Sequence, residues 1–297
     1  MSIAAADQPR AGTREPGRID VWLWILLAPL AVLGIVFGIP IADLITLSFH
    51  EMSGPGQVGS DLTLQNYAAF ITDPFFLGML GNTFLMGSVV VASCLVIGYP
   101  VAYYLARATT QWRAMALFLV VAPLLVSAIV RNIGWFPLLS QSGVVNWLLV
   151  SSGLIDSPIR LVNNFTGVVI GLVHALLPFM ILTLTTVIQR VEPELEEAAA
   201  NLGAGPMLVF LRVLLPLSLP GVVSGSLLVL TMAISAYTTP AILGGNRVLV
   251  ISTYIAQQFR TVLDYPAGAT AAALLLVFAA LLTVLALRLR PHGSESR

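Results

Sequence analysis

The chain has 297 residues, of which 58% are hydrophobic and 9% charged, and its mean hydropathy is +0.93. A water-soluble domain carries roughly 25% charged residues, so this composition excludes one and implies a polytopic protein of the lipid bilayer. The 14 basic and 14 acidic side chains balance, which leaves no basic patch for nucleic acid, and the lone Cys94 excludes a disulfide framework or a cysteine metal site.

In chain order, residues 1–20 are polar and contain Pro9, Gly12, Pro16 and Gly17, as expected of a disordered tail. Six apolar stretches follow at 21–48, 79–106, 114–137, 165–189, 217–243 and 266–288, each near the length of about 20 residues that a spanning helix needs. The first is too long for a signal-peptide core and lacks a small-residue cleavage site, so it reads as a retained helix. Between the first two, residues 49–78 hold Gly54, Pro55, Gly56, Gly59 and Pro74, and an ordered but irregular loop is expected. The run Val144–Val150 is too short to span and predicts an interfacial or re-entrant helix. Residues 246–264 predict another before Pro266. The expected fold is an all-α integral membrane protein with a six-helix transmembrane domain over 21–290 and a short tail at 291–297.

The arginines set an orientation. With the amino terminus inside, the cytoplasmic segments hold Arg10, Arg14, Arg18, Arg107, Arg113, Arg190, Arg212, Arg288, Arg290 and Arg297, ten in all, while the other side holds four, Arg131, Arg160, Arg247 and Arg260. This positive-inside bias places both termini and the loop 190–216 in the cytoplasm.

That loop is the most informative segment. Glu192, Glu194, Glu196 and Glu197 crowd the start of a predicted short helix that continues through Ala198, Ala199 and Ala200. Pro193 suits the first helical turn, and early carboxylates suit the positive end of the helix dipole. Gly203 and Gly205-Pro206 then break the helix, and Val213-Leu214-Leu215-Pro216 leads into the next span. A solvated acidic helix would explain the charges alone. The spacing says more: Glu197-Ala198-Ala199, three residues, Gly203, nine residues, then Val213-x-Leu215-Pro216. It resembles the cytoplasmic loop with which permease subunits of binding-protein-dependent ABC importers dock on their ATPase, with Val213 where that family usually has Ile. The resemblance implies a type I importer permease in a bacterial plasma (inner) membrane, with Glu197 pairing with a basic residue of the ATPase and Gly203 supplying the bend. It further implies two ATP-binding cassette ATPase subunits, a second and different permease, and an external solute-binding protein as partners.

Two further segments resemble the spermidine/putrescine branch of these permeases. The first runs from Arg131 and Trp135 through Leu138-Leu139, Gly143, Asn146 and Leu148 to Gly153; an ordinary anchoring belt at the bilayer surface would look similar. The second is Tyr237-Thr238-Thr239-Pro240-Ala241-Ile242-Leu243-Gly244-Gly245. Pro240 frees a backbone carbonyl and the threonines offer hydroxyls, which in a bilayer need partners or a wet cavity. Many branch members carry an acid just before this Thr-Pro, where this chain has Ala236-Tyr237; the Tyr237 ring could engage a cation through its face. Arg131, Trp135, Tyr237, Thr238, Thr239 and Pro240 are therefore the candidate translocation-path residues. A polyamine such as putrescine or spermidine is the favoured solute, and an opine, an amino-acid derivative, or ferric or thiamine-type cargo is the alternative.

No enzymatic chemistry is expected of this chain, and no cofactor or metal. It lacks Gly-x-x-x-x-Gly-Lys-Ser/Thr, so ATP hydrolysis falls to another subunit. His174 within the fourth span has no acid at helical spacing, and an inter-helix hydrogen bond suits it at least as well as a functional role. An intramembrane serine protease would need Ser224 to face His174, but Ser224 falls early in a helix that starts near the cytoplasm. A proton-coupled carrier would need a chain of intramembrane acids, which is absent from the sequence. Pairs such as Gly167/Gly171 allow close helix approach.

Overall fold

The computed structural model describes residues 18–288. The expected tails lie outside the described residues, except that residues 18–20 already belong to the first helix. The elements in order are α1 (Arg18–Ser48), β1 (His50–Gly54), β2 (Gln57–Leu62), α2 (Gln65–Thr72), α3 (Pro74–Arg107), α4 (Trp112–Val121), α5 (Ala128–Leu139), α6 (Val144–Ser151), α7 (Phe165–Ile188), α8 (Pro193–Asn201), α9 (Pro206–Val209), α10 (Leu215–Ser235), α11 (Ile251–Gln257) and α12 (Tyr265–Arg288). Two compact units divide after Thr46. In the first, residues 25–42 of α1 are exposed and almost wholly apolar, including Leu26, Leu30, Val36 and Phe37, the surface of a helix made for lipid rather than water.

The second unit is built on α3, α7 and α10, which pack on one another. Met86, Val90 and Cys94 of α3, Leu172, Met180 and Leu184 of α7, and Val229 and Ala233 of α10 form its buried centre. A smaller cluster joins Phe70 of α2, Met79 of α3, Ile251 and Tyr254 of α11 and Ala271 of α12. Since lipid is as apolar as leucine, such helices associate through close packing and inter-helix hydrogen bonds rather than through exclusion of water. One such bond joins the Tyr99 hydroxyl of α3 to Ser218 Oγ of α10 at 2.6 Å. Another class of bond is weak: Cys94 Sγ lies 3.9 Å from the Val173 carbonyl, a buried structural thiol.

Among the described residues, six segments are long and apolar enough to cross a bilayer: Ile25–Ser48, Pro74–Arg107, Ala128–Ser151, Phe165–Ile188, Pro206–Ser235 and Tyr265–Leu285. Three expectations need correction. The predicted third span, 114–137, is not one helix: α4 runs into a 3-10 turn at Ala122–Leu125, Val126 and Ser127 are extended, and α5 begins afresh at Ala128. Pro123, which cannot donate to the helical ladder, sits in that turn. α5 has 12 residues, about 18 Å of helix, and the apolar segment Ala128–Ser151 reaches spanning length by adding α6 across a turn at 140–143. The irregular loop 49–78 instead holds an antiparallel hairpin, β1–β2, then α2 and the start of α3. The fifth span, predicted to reach 243, ends at Ser235 and unwinds at Ala236 and Tyr237.

The short helices were better anticipated. α6 forms where the run Val144–Val150 is too short to span, and α11 forms within 246–264. Asn146 of α6 is buried and staples the connection that follows, donating to the Ser140 and Ile159 carbonyls and accepting from Ile159 N–H, all at 2.9 Å.

Candidate functional site

Two regions bring the singled-out residues into focus. In the loop between α7 and α10, the sequence Pro-Glu-Leu-Glu-Glu-Ala-Ala-Ala-Asn forms α8, with Pro193 at its first turn and Glu194 and Glu196 near the helix start. Gly203 ends it with φ +88°, the left-handed region where a side chain is strained. Ala204 N–H donates to the Ala199 carbonyl at 3.1 Å and Gly203 N–H to the Ala200 carbonyl at 2.9 Å, the paired bonds by which a glycine closes a helix end. α9 follows, then a π-turn at Phe210–Leu214 that leads into α10 at Leu215-Pro216. Glu197, Ala198, Gly203 and Pro216 are exposed, and Ala199 and Leu215 half-buried. Leu202 is 89% exposed and Met207 67%, so the loop exposes apolar side chains as well as carboxylates.

One carboxylate turns inward. Glu196 accepts from Tyr103 Oη at 2.9 Å and from Arg107 Nε at 3.0 Å and Nη2 at 2.5 Å, tying α8 to the last turns of α3. Sequence spacing singled out Glu197, its neighbour; only the fold brings Tyr103 and Arg107, some ninety residues earlier, to Glu196.

The second region lies where α10 unwinds. Ala236 has an extended backbone and its carbonyl accepts from Ser252 Oγ of α11 at 2.7 Å. After the break Pro240–Gly244 forms a π-turn. Thr239 and Pro240 are buried, Thr238 half-buried, and Tyr237 is 37% exposed. Asn132 of α5 is buried and donates to Thr239 Oγ1 at 3.1 Å. Trp135 Nε1 donates to His174 Nδ1 of α7 at 3.1 Å. The first of these bonds lies beside Gly171 of α7, where a Cβ would meet Leu243 at 2.6 Å, Thr239 at 2.8 Å and Asn132 Oδ1 at 3.3 Å, so a larger residue there would push these side chains apart. The two segments singled out separately, 131–153 and 237–245, thus meet in space. Asn132 Oδ1 and Arg131 Nε remain buried without a partner there, an energetic debt in any apolar surrounding.

Arg131 does not simply reach for the bilayer surface. Its Nη2 donates to the Val126 carbonyl at 2.9 Å and to the Pro123 carbonyl, capping groups freed by the break between α4 and α5. The Ser224 hydroxyl donates to the Pro220 carbonyl at 2.7 Å, and His174 Nδ1 is engaged by Trp135, so the two do not form a nucleophile and base.

Tyr237 faces a cleft of about 680 Å³ that includes Phe75, Thr253, Gln257, Arg260 and Thr261. The Arg260 guanidinium lies 5.6 Å from the Tyr237 ring centroid and donates to its hydroxyl at 3.4 Å. In α11, burial pushes the Tyr254 phenol up to about 12, with the Asp264 charge adding to the effect and the Gln258 hydrogen bond opposing it. Asp73 and Asp264 are helix caps, accepting from Phe75 N–H at 2.8 Å and Ala267 N–H at 3.0 Å.

The family model of the binding-protein-dependent transport system inner membrane component matches residues 95–292. The chain belongs to this family. It is 35% identical over 250 residues to the spermidine/putrescine transport system permease protein PotB of Haemophilus influenzae, covering 84% of this chain and 87% of that protein. To PotB of Escherichia coli K12 it is 35% identical over 231 residues, covering 78% and 84%. The fold agrees. A subunit in the crystal structure of a bacterial alginate ABC transporter, in complex with its alginate pentasaccharide-bound periplasmic protein, superposes with a TM-score of 0.74 at 17% identity, covering 94% of this chain and 97% of that one. A subunit of the MetNI methionine ABC transporter in an inward-facing form gives 0.54 at 19% identity, covering 74% and 97%. Family membership and six apolar segments make this a multi-pass permease of a bacterial inner membrane.

Proposed function

We propose that this permease forms half of the translocation path of an ATP-driven polyamine importer and receives its solute from an external binding protein. The α8–α9 loop faces the cytoplasm, as do both termini, and seats on an ATP-binding cassette subunit, with Glu197 paired to a basic residue of that partner. The observation that carries the reading is the exposure of Glu197 on a helix closed by Gly203, of Leu202 at its end and of Met207 on the short helix that follows. A rigid helix seated in a closing partner moves with it as a body, and the motion rocks α3, α7 and α10 between outward- and inward-facing states. A second, different permease completes the path and a second ATPase completes the motor. The solute assignment rests on the two PotB relatives, whose names specify spermidine and putrescine. Tyr237, Thr238, Thr239 and Pro240, with Arg131 and Trp135, line or brace the path.

One observation favours a second solute class. The cleft at Tyr237 contains Arg260 and, among the described residues, no carboxylate, which suits a solute with an acid group, such as an opine or amino-acid derivative, better than a polycation. Uptake into liposomes holding the complete transporter separates the two. Labelled spermidine accumulating only with ATP, and resisting excess opine, supports the polyamine; accumulation of labelled opine alone supports the second class.

A further inference from the structure

We infer that Tyr103, Arg107 and Glu196 are the positioning residues that make α3 follow α8, a clasp without which the cytoplasmic loop would turn and leave the bundle behind. The inference rests on the importer reading above and adds the transmission element inside this chain. Three donor contacts converge on one carboxylate, at 2.9, 3.0 and 2.5 Å, and the two charged side chains are 19% and 15% exposed. Charge-assisted bonds of this kind, partly withdrawn from water, are stronger and more directional than a surface pair. Among the described residues, the side-chain hydrogen bonds from α8 to the bundle all pass through Glu196.

What lies beside the clasp matters as much. Between α3 and the loop is a cleft of about 700 Å³, walled by Leu95, Tyr99 and Pro100 on one side and Ala200, Pro206 and Phe210 on the other. Across it the Tyr99 ring meets Phe210 of the π-turn edge-on, with centroids 5.2 Å apart, so α3 packs on the π-turn, while α8 reaches α3 through the side-chain hydrogen bonds of the clasp. α8 is held by its chain connection to α7, by the turn at Gly203, by its contacts with α9 and the π-turn, and by the clasp; the clasp is the hold that ties its rotation to α3. Arg107 also stands in the last turn of α3, where a cation complements the helix dipole. The clasp thus has a reason to persist while the loop moves.

The test uses the complete transporter in liposomes, with Arg107→Glu, Glu196→Arg, the double exchange, and the milder Glu196→Gln and Tyr103→Phe. Each single reversal is expected to lower spermidine moved per ATP hydrolysed about tenfold, with the double exchange recovering most of the loss. Glu196→Gln and Tyr103→Phe should fall between. A second readout needs no knowledge of the solute: spin labels at Tyr104→Cys and Asn201→Cys report the α3–α8 distance, with Cys94 fully buried from label. That distance should hold between nucleotide-free and vanadate-trapped states and shift when Arg107→Gln is added. A distance that changes with the clasp intact, or an exchange that restores nothing, would overturn the inference. A labelled pair that holds its distance in a transporter that rejects spermidine would keep the clasp and sink only the polyamine assignment. Failure of any ATPase to assemble with the chain would overturn both.

Discussion

Between α7 and α10, residues 190–216 turn nearly every polar side chain outward; beyond α10, residues 236–264 bury several of theirs, Thr239, Ser252, Tyr254 and Gln258. The first region presents Glu197, Leu202 and Met207 to the surroundings. The second pairs Ser252 with the Ala236 carbonyl, Asn132 with Thr239, and Arg260 with Tyr237. The exposed loop is written in one short stretch, because its geometry depends on local helix rules. The bonds around the α10 break are written across the chain, because freed backbone and hydroxyl groups must find partners on other helices.

The largest predicted effect breaks the outward region. Glu197→Arg or Gly203→Asp should reduce ATP-coupled uptake by more than about tenfold while insertion stays intact; for Gly203→Asp, an L side chain in left-handed backbone adds a cost of about 1–2 kcal/mol. Uptake in liposomes and membrane fractionation check both halves, and normal uptake in either variant would remove the docking role. In the inward region, Asn132→Leu should destabilise the chain by about 1 kcal/mol, the scale of an inter-helix bond in a membrane, seen as a lower unfolding temperature in detergent. Smaller still is the effect at the cleft. Losing the ring in Tyr237→Leu should shift the half-saturating solute concentration about two- to fivefold, as a partly exposed cation–π contact implies, whereas Tyr237→Phe should sit near wild type. Ser224→Ala should change stability by less than about 0.5 kcal/mol, since its hydroxyl serves its own helix.

Much of this architecture is legible in the amino-acid order. Composition implies the bilayer, and the breaks Gly203 and Pro206 locate α8 and α9 because Gly and Pro act on local backbone. Length excludes a span at Val144–Val150, where α6 forms. Hydropathy cannot locate the break at Val126-Ser127, because an apolar helix and two apolar half-helices have the same composition. Nor could it find Glu196 as an inward anchor beside the outward Glu197; the partners Tyr103 and Arg107 lie about ninety residues away. Asn132 did leave a signal, an amide in an apolar stretch, and its partner Thr239 appears only when α5 and the α10 break meet over Gly171.

The most direct test of the central claim is purification of the chain from its native membrane, beside the Glu197→Arg variant, with identification of the subunits that accompany each. The account predicts an ATPase bearing Gly-x-x-x-x-Gly-Lys-Ser/Thr with the wild-type chain, depleted from the variant although both chains reach the membrane equally. A wild-type chain that emerges without an ATPase, or a variant that retains it in full, would contradict the account.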